Sequence, residues 1–293
     1  MQKKIVLSKE FLEKHHNLFR CPICKQKMSM QNFSFQCENR HQFDLSKKGT
    51  LYFLSKSIET PYKKEMFLHR RALIQSGMYQ PLIEEIRSEI RSDATLLDVG
   101  SGEGSFTQLI TKEAPHSTAI GFDISKDGVF AATNLPFEND TFFCVADLTH
   151  LPFSDAAFDI ILNIFSPSAY HEFSRVLKPN GKLIKVIPES EYLIELRNAF
   201  YPDDHDKQSY SNESVLKRLK QEAVILKEKR ITYTYPVPLE NRISLLEMSP
   251  LEWGADAEIK KSLQSNPLDA ITVDVRLLIC EVNSKNGASE SHS

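Results

Sequence analysis

At 293 residues, with 41% hydrophobic and 26% charged side chains, the chain has room for one large domain and a small one and is neither fibrous nor disordered in composition. No apolar run reaches the length of a membrane span, and the start, Met1-Gln-Lys-Lys-Ile-Val-Leu-Ser-Lys-Glu10, meets charge too soon for a secretory signal, so a cytoplasmic protein is expected. The net charge of −3 conceals an asymmetry: residues 1–71 hold 15 Lys/Arg against 6 Asp/Glu, a net of +9, which suggests a polyanionic partner at that end as readily as a solvated lysine surface.

Residues 1–18 read as a charged, helical lead-in, and residues 19–54 are organised by cysteine. Cys21-Pro-Ile-Cys24, twelve residues, Cys37, three residues and His41 give the spacing C-x2-C-x12-C-x3-H. The first pair makes a tight knuckle and the second returns across a loop, so that three thiolates and one imidazole complete a tetrahedron. Soft donors of this kind favour zinc, and disulfides suit a cytoplasmic chain less well. So short a segment cannot fold on its own core, and the metal would stabilise it directly. Phe33, Phe35, Phe43, Tyr52 and Phe53 surround the ligands, interleaved with Lys25, Lys27, Arg40, Lys47 and Lys48. Cations on phosphates and rings on unpaired bases suit RNA, although most of these rings are expected to form the module's small core. The remaining cysteines, Cys144 and Cys280, lie in apolar, strand-like surroundings and are expected to be buried small hydrophobes.

Between Ser57 and Ser92 apolar residues recur at helical spacing, interrupted by Gly77 and Pro81. From Thr95 onward, short apolar runs alternate with helical stretches. Strands are expected over 95–99, 118–122, 141–145, 158–163 and 182–187, and helices over 106–113, after Ser125 and over 169–177. Later strands are expected over 229–235 and 272–282. Alternation of this kind implies right-handed crossovers and an α/β domain with a doubly wound, mostly parallel sheet.

Asp98-Val-Gly100-Ser-Gly102-Glu103-Gly104 follows the first of these strands and opens a helix. Glycine serves where the chain turns sharply and where backbone must approach a ligand. Asp123, at the end of the next strand, can accept the ribose hydroxyls of an adenosine-containing cofactor. A phosphate loop would need Gly-Lys-Ser/Thr, which is missing, and a dinucleotide loop would need glycine where Ser105 stands. Asp98 suits a cationic sulfonium better than a pyrophosphate. Asp147 and Leu148, after the strand over 141–145, are placed to meet the adenine. Leu151-Pro-Phe-Ser-Asp155 and Leu177-Lys-Pro-Asn-Gly181 complete a series that resembles the class I (Rossmann-like) methyltransferases over residues 95–187. The cofactor that this implies is S-adenosylmethionine.

With Cys21–His41, then Gly77-Met-Tyr79-Gln-Pro81, then the glycine loop and Met248-Ser-Pro-Leu-Glu-Trp253, the chain resembles the bacterial large-subunit (23S) ribosomal RNA guanine-N1 methyltransferases, the family that includes tylosin-resistance enzymes. The resemblance implies a zinc ribbon for RNA recognition, a class I catalytic domain, a homodimer, and an rRNA hairpin at the peptide exit tunnel as substrate, at nucleotide 748 rather than 745. It assigns the zinc to Cys21, Cys24, Cys37 and His41, and cofactor contacts to Tyr79, Gly102, Glu103 and Tyr192, beside Asp98, Gly100, Gly104, Asp123, Asp147 and Leu148. Where relatives carry an Arg-Ile-Tyr-Ala-Pro run, this chain reads Asn163-Ile-Phe165-Ser-Pro167, a departure that could separate the branches acting on neighbouring guanines. Asn163 and Phe165 are the expected catalytic pair, the amide on the guanine edge and the ring stacked on the base. Asp147, Glu189 and Glu191 are candidate acceptors for the N1 proton. The expected layout is a zinc module over 1–56, a helical linker over 57–92, the methyltransferase domain over 93–283 and a disordered tail over 284–293. Two alternatives stay open at this point: a methyltransferase for a small molecule or protein, and a non-catalytic zinc protein that binds nucleic acid.

Overall fold

A computed structural model describes residues 3–56, 58–137 and 139–283; the tail expected over 284–293 lies outside them. The chain opens with helix α1 (Lys4–His15) and a short turn of 3-10 helix. Three small antiparallel strands follow, β1 (Met28–Gln31), β2 (Ser34–Cys37) and β3 (Gln42–Asp44), and then the two-residue β4 (Leu51–Tyr52). Helices α2 (Lys64–Gln75) and α3 (Gln80–Arg87) are divided where Gly77 takes φ +95° and Pro81 enters the first turn of α3, so both breakers act as expected.

The alternating part comprises β5 (Thr95–Val99), α4 (Ser105–Thr111), β6 (Thr118–Asp123), α5 (Lys126–Ala132), β7 (Asp140–Val145), β8 (Phe158–Ile164), α6 (Tyr170–Val176) and β9 (Leu177–Pro188). Then come α7 (Ile194–Phe200), α8 (His205–Gln208), α9 (Glu213–Glu222), β10 (Ala223–Pro236), α10 (Arg242–Glu247), α11 (Ala257–Ser265) and β11 (Ala270–Val282). The large sheet has the order β10-β11-β9-β8-β5-β6-β7-β4. Strands β4 to β9 run parallel, while β11 is antiparallel to β9 and β10 to β11. The order reverses between β5 and β8, and ligands of doubly wound sheets bind at such a switch point, outside the carboxyl ends of the strands.

Two strands run longer than their sequence pattern suggests. β10 begins at Ala223 because its first half pairs with β11 on one side only, leaves most of its side chains exposed, and carries a bulge between Ile225 and Lys227. β9 begins at Leu177, which pairs with Phe158 before the chain bends at Asn180 (φ +63°). The segment Leu177-Lys-Pro-Asn-Gly181 is therefore a kinked start to the strand.

The sheet is buried on both faces. One face is covered by α2, α3, α7 and α10 through Leu73, Leu82, Leu196 and Leu245. The other shares its core with the first fifty residues: Phe11, Leu12, Phe19 and Phe35 pack with Phe122, Phe142, Phe153 and Leu183. Phe11 stacks on Phe142 at 5.3 Å between ring centroids, and Phe19 lies 5.5 Å from Phe153. β4 then joins the edge of the sheet, Leu51 opposite Cys144 and Tyr52 opposite Val145, and the Phe53 amide donates to the Val145 carbonyl at 2.9 Å. Cys144 and Cys280 are fully buried, as expected of small hydrophobes. Among the described residues no helix is long and apolar enough to cross a membrane.

Candidate metal centre and cofactor site

The four expected metal ligands converge. The donor atoms of Cys21, Cys24, Cys37 and His41 lie within 4.8 Å of one another. His41 Nδ1 is 3.3 Å from Cys24 Sγ and 3.5 Å from the sulfurs of Cys21 and Cys37, and the sulfurs of Cys24 and Cys37 are 3.6 Å apart. Such edges suit a tetrahedron around a zinc ion with bonds of about 2.3 Å to sulfur. Both knuckles turn through left-handed backbone, at Lys25 (φ +65°) and Arg40 (φ +62°). Each is closed by a hydrogen bond, from the Lys25 amide to the Cys21 carbonyl and from the Arg40 amide to the Cys37 carbonyl. Lys25, Lys27, Arg40, Lys47 and Lys48 are exposed. Phe35 and Phe53 are buried in the shared core, and Phe33 is the exposed ring that remains for stacking.

The glycine loop lies at the carboxyl end of β5, at the switch point. Gly100, Gly102 and Gly104 all take positive φ (+67°, +53° and +83°), and a Cβ at Gly104 would come 2.9 Å from that of Ala132. Asp123 braces the loop: one carboxylate oxygen accepts from the Gly102 amide at 2.9 Å, the other from the Ser125 amide at 2.8 Å. Burial raises the pKa of Asp123. Asp98 is buried at the end of β5, where it accepts from the Thr107 hydroxyl; burial, with repulsion from Asp123 and Glu103, raises its pKa to about 7. The Ser101 hydroxyl is buried and has no hydrogen-bond partner among the described residues. Two carboxyls that resist ionisation, one buried and one half-buried, beside a cradle of backbone free of Cβ atoms, fit a ligand that brings positive charge.

Glu103 faces inward. Its carboxylate accepts from Arg71 Nε at 2.7 Å and from the Ser105 hydroxyl at 2.8 Å, and Arg71 also reaches the carbonyls of Glu103 and Ala131. The ion pair ties α2 to the glycine loop, so its carboxylate is engaged before any cofactor arrives. Neither this pairing nor Arg71 was foreseen from the sequence.

Tyr79, Phe165 and Tyr192, expected from three separate motifs, meet in one aromatic cluster. The Tyr79 and Tyr192 hydroxyls are 2.6 Å apart, and Phe165 stacks on Tyr192 at 5.3 Å with 28° between planes. Phe106 closes the group, 5.3 Å from Tyr79. Burial raises both tyrosine pKa values, that of Tyr192 to about 12. Phe165 takes φ +53°, a strained conformation for a bulky residue and common at functional turns.

The contact expected between Asn163 and a base has no room. Asn163 is fully buried; its Nδ2 donates to the Ser166 hydroxyl at 2.6 Å and the Pro167 carbonyl at 2.9 Å. Its Oδ1 accepts from the Ser168 hydroxyl at 2.8 Å and from Lys185 Nζ at 2.6 Å. Asn163 thus holds the turn that presents Phe165. Lys185 stands opposite Asn163 in the parallel register of β8 and β9, and burial lowers its pKa to about 8. A cation therefore does stand beside the Asn163–Pro167 run, supplied by the neighbouring strand. A lysine inside an apolar strand was the sequence signal for it.

Among the other candidates, Glu189 is buried and bonded to Arg276, while Glu191 is exposed. Asp147 uses one oxygen to accept from the Thr149 amide and hydroxyl, both at 2.8 Å, and Leu148 packs partly buried beside it. His69 joins α2 to α10 through Ser244 and Glu247.

Residues 90–234 match the family model of a methyltransferase domain, and residues 19–54 match that of the RlmA N-terminal zinc ribbon. The YxjB protein of Bacillus subtilis (strain 168), provisionally named a 23S rRNA (guanine-N(1)-)-methyltransferase, is 39% identical over 275 residues, which cover 90% of this chain and 96% of that protein. The 23S rRNA (guanine(748)-N(1))-methyltransferase of Streptomyces fradiae is 26% identical over 274 residues, 89% of this chain and 95% of that one.

Proposed function

The chain belongs to the 23S rRNA (guanine-N(1)-)-methyltransferase family, and we propose that it methylates N1 of a guanine in a 23S rRNA hairpin near the peptide exit tunnel. It is an S-adenosylmethionine-dependent methyltransferase with one zinc ion. Likeness to the Streptomyces fradiae relative favours nucleotide 748 over 745. In this reading the protein is cytoplasmic, acts as a homodimer and alters susceptibility to macrolides such as tylosin.

The observation that carries the RNA reading is the seat of β4. The basic, zinc-bearing segment enters the sheet beside β7 and leaves it at Val145, two residues before Asp147. Exposed cations of the segment are thereby fastened near the cofactor end of the strands, where they can hold phosphates while a base enters the acidic domain.

S-adenosylmethionine supplies the methyl group on a cationic sulfur. Asp98 offers a carboxylate to that positive charge, and Asp123 offers its oxygens to the ribose while keeping Gly102 and Ser125 in place. The stacked pair Phe165 and Tyr192 forms a wall for a flipped guanine and excludes water from the line of transfer. Asn163 and Lys185 keep that wall in register through the Ser166–Ser168 turn. N1 must lose its proton as the methyl arrives. With Glu189 bonded to Arg276, Asp147 and Glu191 remain as the acceptor carboxylates in this proposal. Mass spectrometry of 23S rRNA from a strain lacking the gene tests the assignment: one N1-methylguanosine should disappear near the tunnel hairpin and return on complementation. An unaltered modification profile would refute it.

A further inference from the structure

Asp98 provides for the cationic side of a zwitterionic methyl donor and Asp123 for its ribose, yet the donor also carries an amino-acid carboxylate. A buried anion of that kind requires a cation or a set of donors. The cation whose field reaches Asp123, Tyr79 and Tyr192 together is Arg70 of α2. Its place follows from the helix. Phe67, one turn earlier, lays its ring against the glycine loop, where a Cβ on Gly102 would meet it at 3.3 Å and one on Gly128 at 3.0 Å. Arg70 extends over the Phe67 ring, with the guanidinium carbon 5.9 Å from the centroid.

The neighbouring arginine is committed elsewhere, since Arg71 pairs with Glu103. Arg70 has no carboxylate within ion-pair distance among the described residues. Its Nε and Nη2 share a single acceptor, the Met248 carbonyl, at 3.3 and 3.2 Å. A guanidinium has five N–H donors in a planar fork that fits a carboxylate. Half-buried, held on one edge and without a counter-charge, it is set up to receive one.

We propose that Arg70 binds the methionine carboxylate of S-adenosylmethionine, with the Met248 carbonyl fixing the fork. The proposal rests on the cofactor reading above. It makes α2 a part of the cofactor site and links that site to the segment around Met248.

The test is a cycle between residue and ligand, run by calorimetry on the zinc-loaded full chain. The ligands are S-adenosylhomocysteine, its decarboxylated analogue and 5′-methylthioadenosine. Wild type should bind S-adenosylhomocysteine about 10- to 100-fold more tightly than the decarboxylated analogue, the range expected for a charge-assisted pair. Arg70→Met should lose that preference while binding 5′-methylthioadenosine as wild type does, which also shows that the site remains folded. Should Arg70→Met not fold, Arg70→Lys takes its place, and a reduced preference is the expected result. An unchanged preference in the variant would overturn the proposal. So would an equal loss for all three ligands, because Arg70 would then act only through Met248. If wild type bound none of the nucleosides, the cofactor reading itself would fall, and the clamp with it.

Discussion

Exchanging Asp98 for Asn removes a titrating group from the centre of the cofactor site. The carboxyl is 3% exposed, and burial, with Asp123 and Glu103 nearby, raises its pKa from 3.8 to about 7. A shift of that size holds roughly 4 kcal/mol against the ionised form. The folded state therefore binds this proton more tightly than the unfolded chain does. The contribution of Asp98 to stability is fully present at low pH and is lost as pH rises from about 4 through about 7. A cation seated beside the carboxylate reverses that preference. Binding S-adenosylmethionine below about pH 7 must then expel a proton, so affinity should fall by up to about tenfold per pH unit on going down toward pH 5. Asp98→Asn should bind more weakly at about pH 8 and lack this dependence. Calorimetry in two buffers of different ionisation heat counts the protons directly. At about pH 6 wild type should release nearly one proton more than the variant; equal counts would refute the placement of the cationic group beside Asp98.

Asp123→Ala removes the acceptor of the Gly102 and Ser125 amides as well as the proposed ribose contact, so affinity for S-adenosylhomocysteine should drop about 10- to 100-fold, with a lower melting temperature. Unchanged affinity in calorimetry would mean that the ribose lies elsewhere. Chelating the zinc, or Cys37→Ser, should lower the unfolding midpoint of the whole chain in one transition, because Phe19 and Phe35 share a core with Phe142 and Phe153. Two well-separated calorimetric transitions would count against that coupling. Reversing Lys25, Lys27 and Arg40 to Glu should weaken hairpin binding and flatten its salt dependence by about 0.7 to 0.9 in log–log slope per lost phosphate contact. A filter-binding slope identical to wild type would remove these residues from the RNA face.

The parts of the molecule that were legible in the sequence are those whose physics is local. Buried parallel strands such as β5 read as apolar runs, the glycine loop declares a backbone that side chains could not follow, and the metal ligands are fixed by spacing. The remainder depends on partners distant in the chain. Nothing near Phe11 or Phe19 says that they complete the core under β7, so the spacing of the ligands shows the zinc module without the core it shares with the sheet. Asn163 sits where a catalytic amide would, yet Lys185 and the Ser166–Ser168 turn, visible only in the register of β8 and β9, bind both ends of it. The Glu103 carboxylate is already engaged, by Ser105 nearby and by Arg71, which reaches it from another helix. Strand β10 extends beyond the expected 229–235 because Ala223 to Glu228 is drawn into the sheet by its pairing with β11 across a bulge, a partner distant in the chain.

The central claim is that the chain methylates a 23S rRNA guanine at N1, and in vitro transfer to deproteinised 23S rRNA tests it most directly. Purified zinc-loaded protein would be incubated with labelled S-adenosylmethionine, and the product digested and mapped by mass spectrometry. The account predicts label in a single nucleotide of the tunnel hairpin, at guanine 748, with fragmentation placing the methyl on N1 and weaker transfer by Asp98→Asn than by wild type at about pH 8. Label on another position of the base, or none in 23S rRNA from a strain lacking the gene, would contradict it.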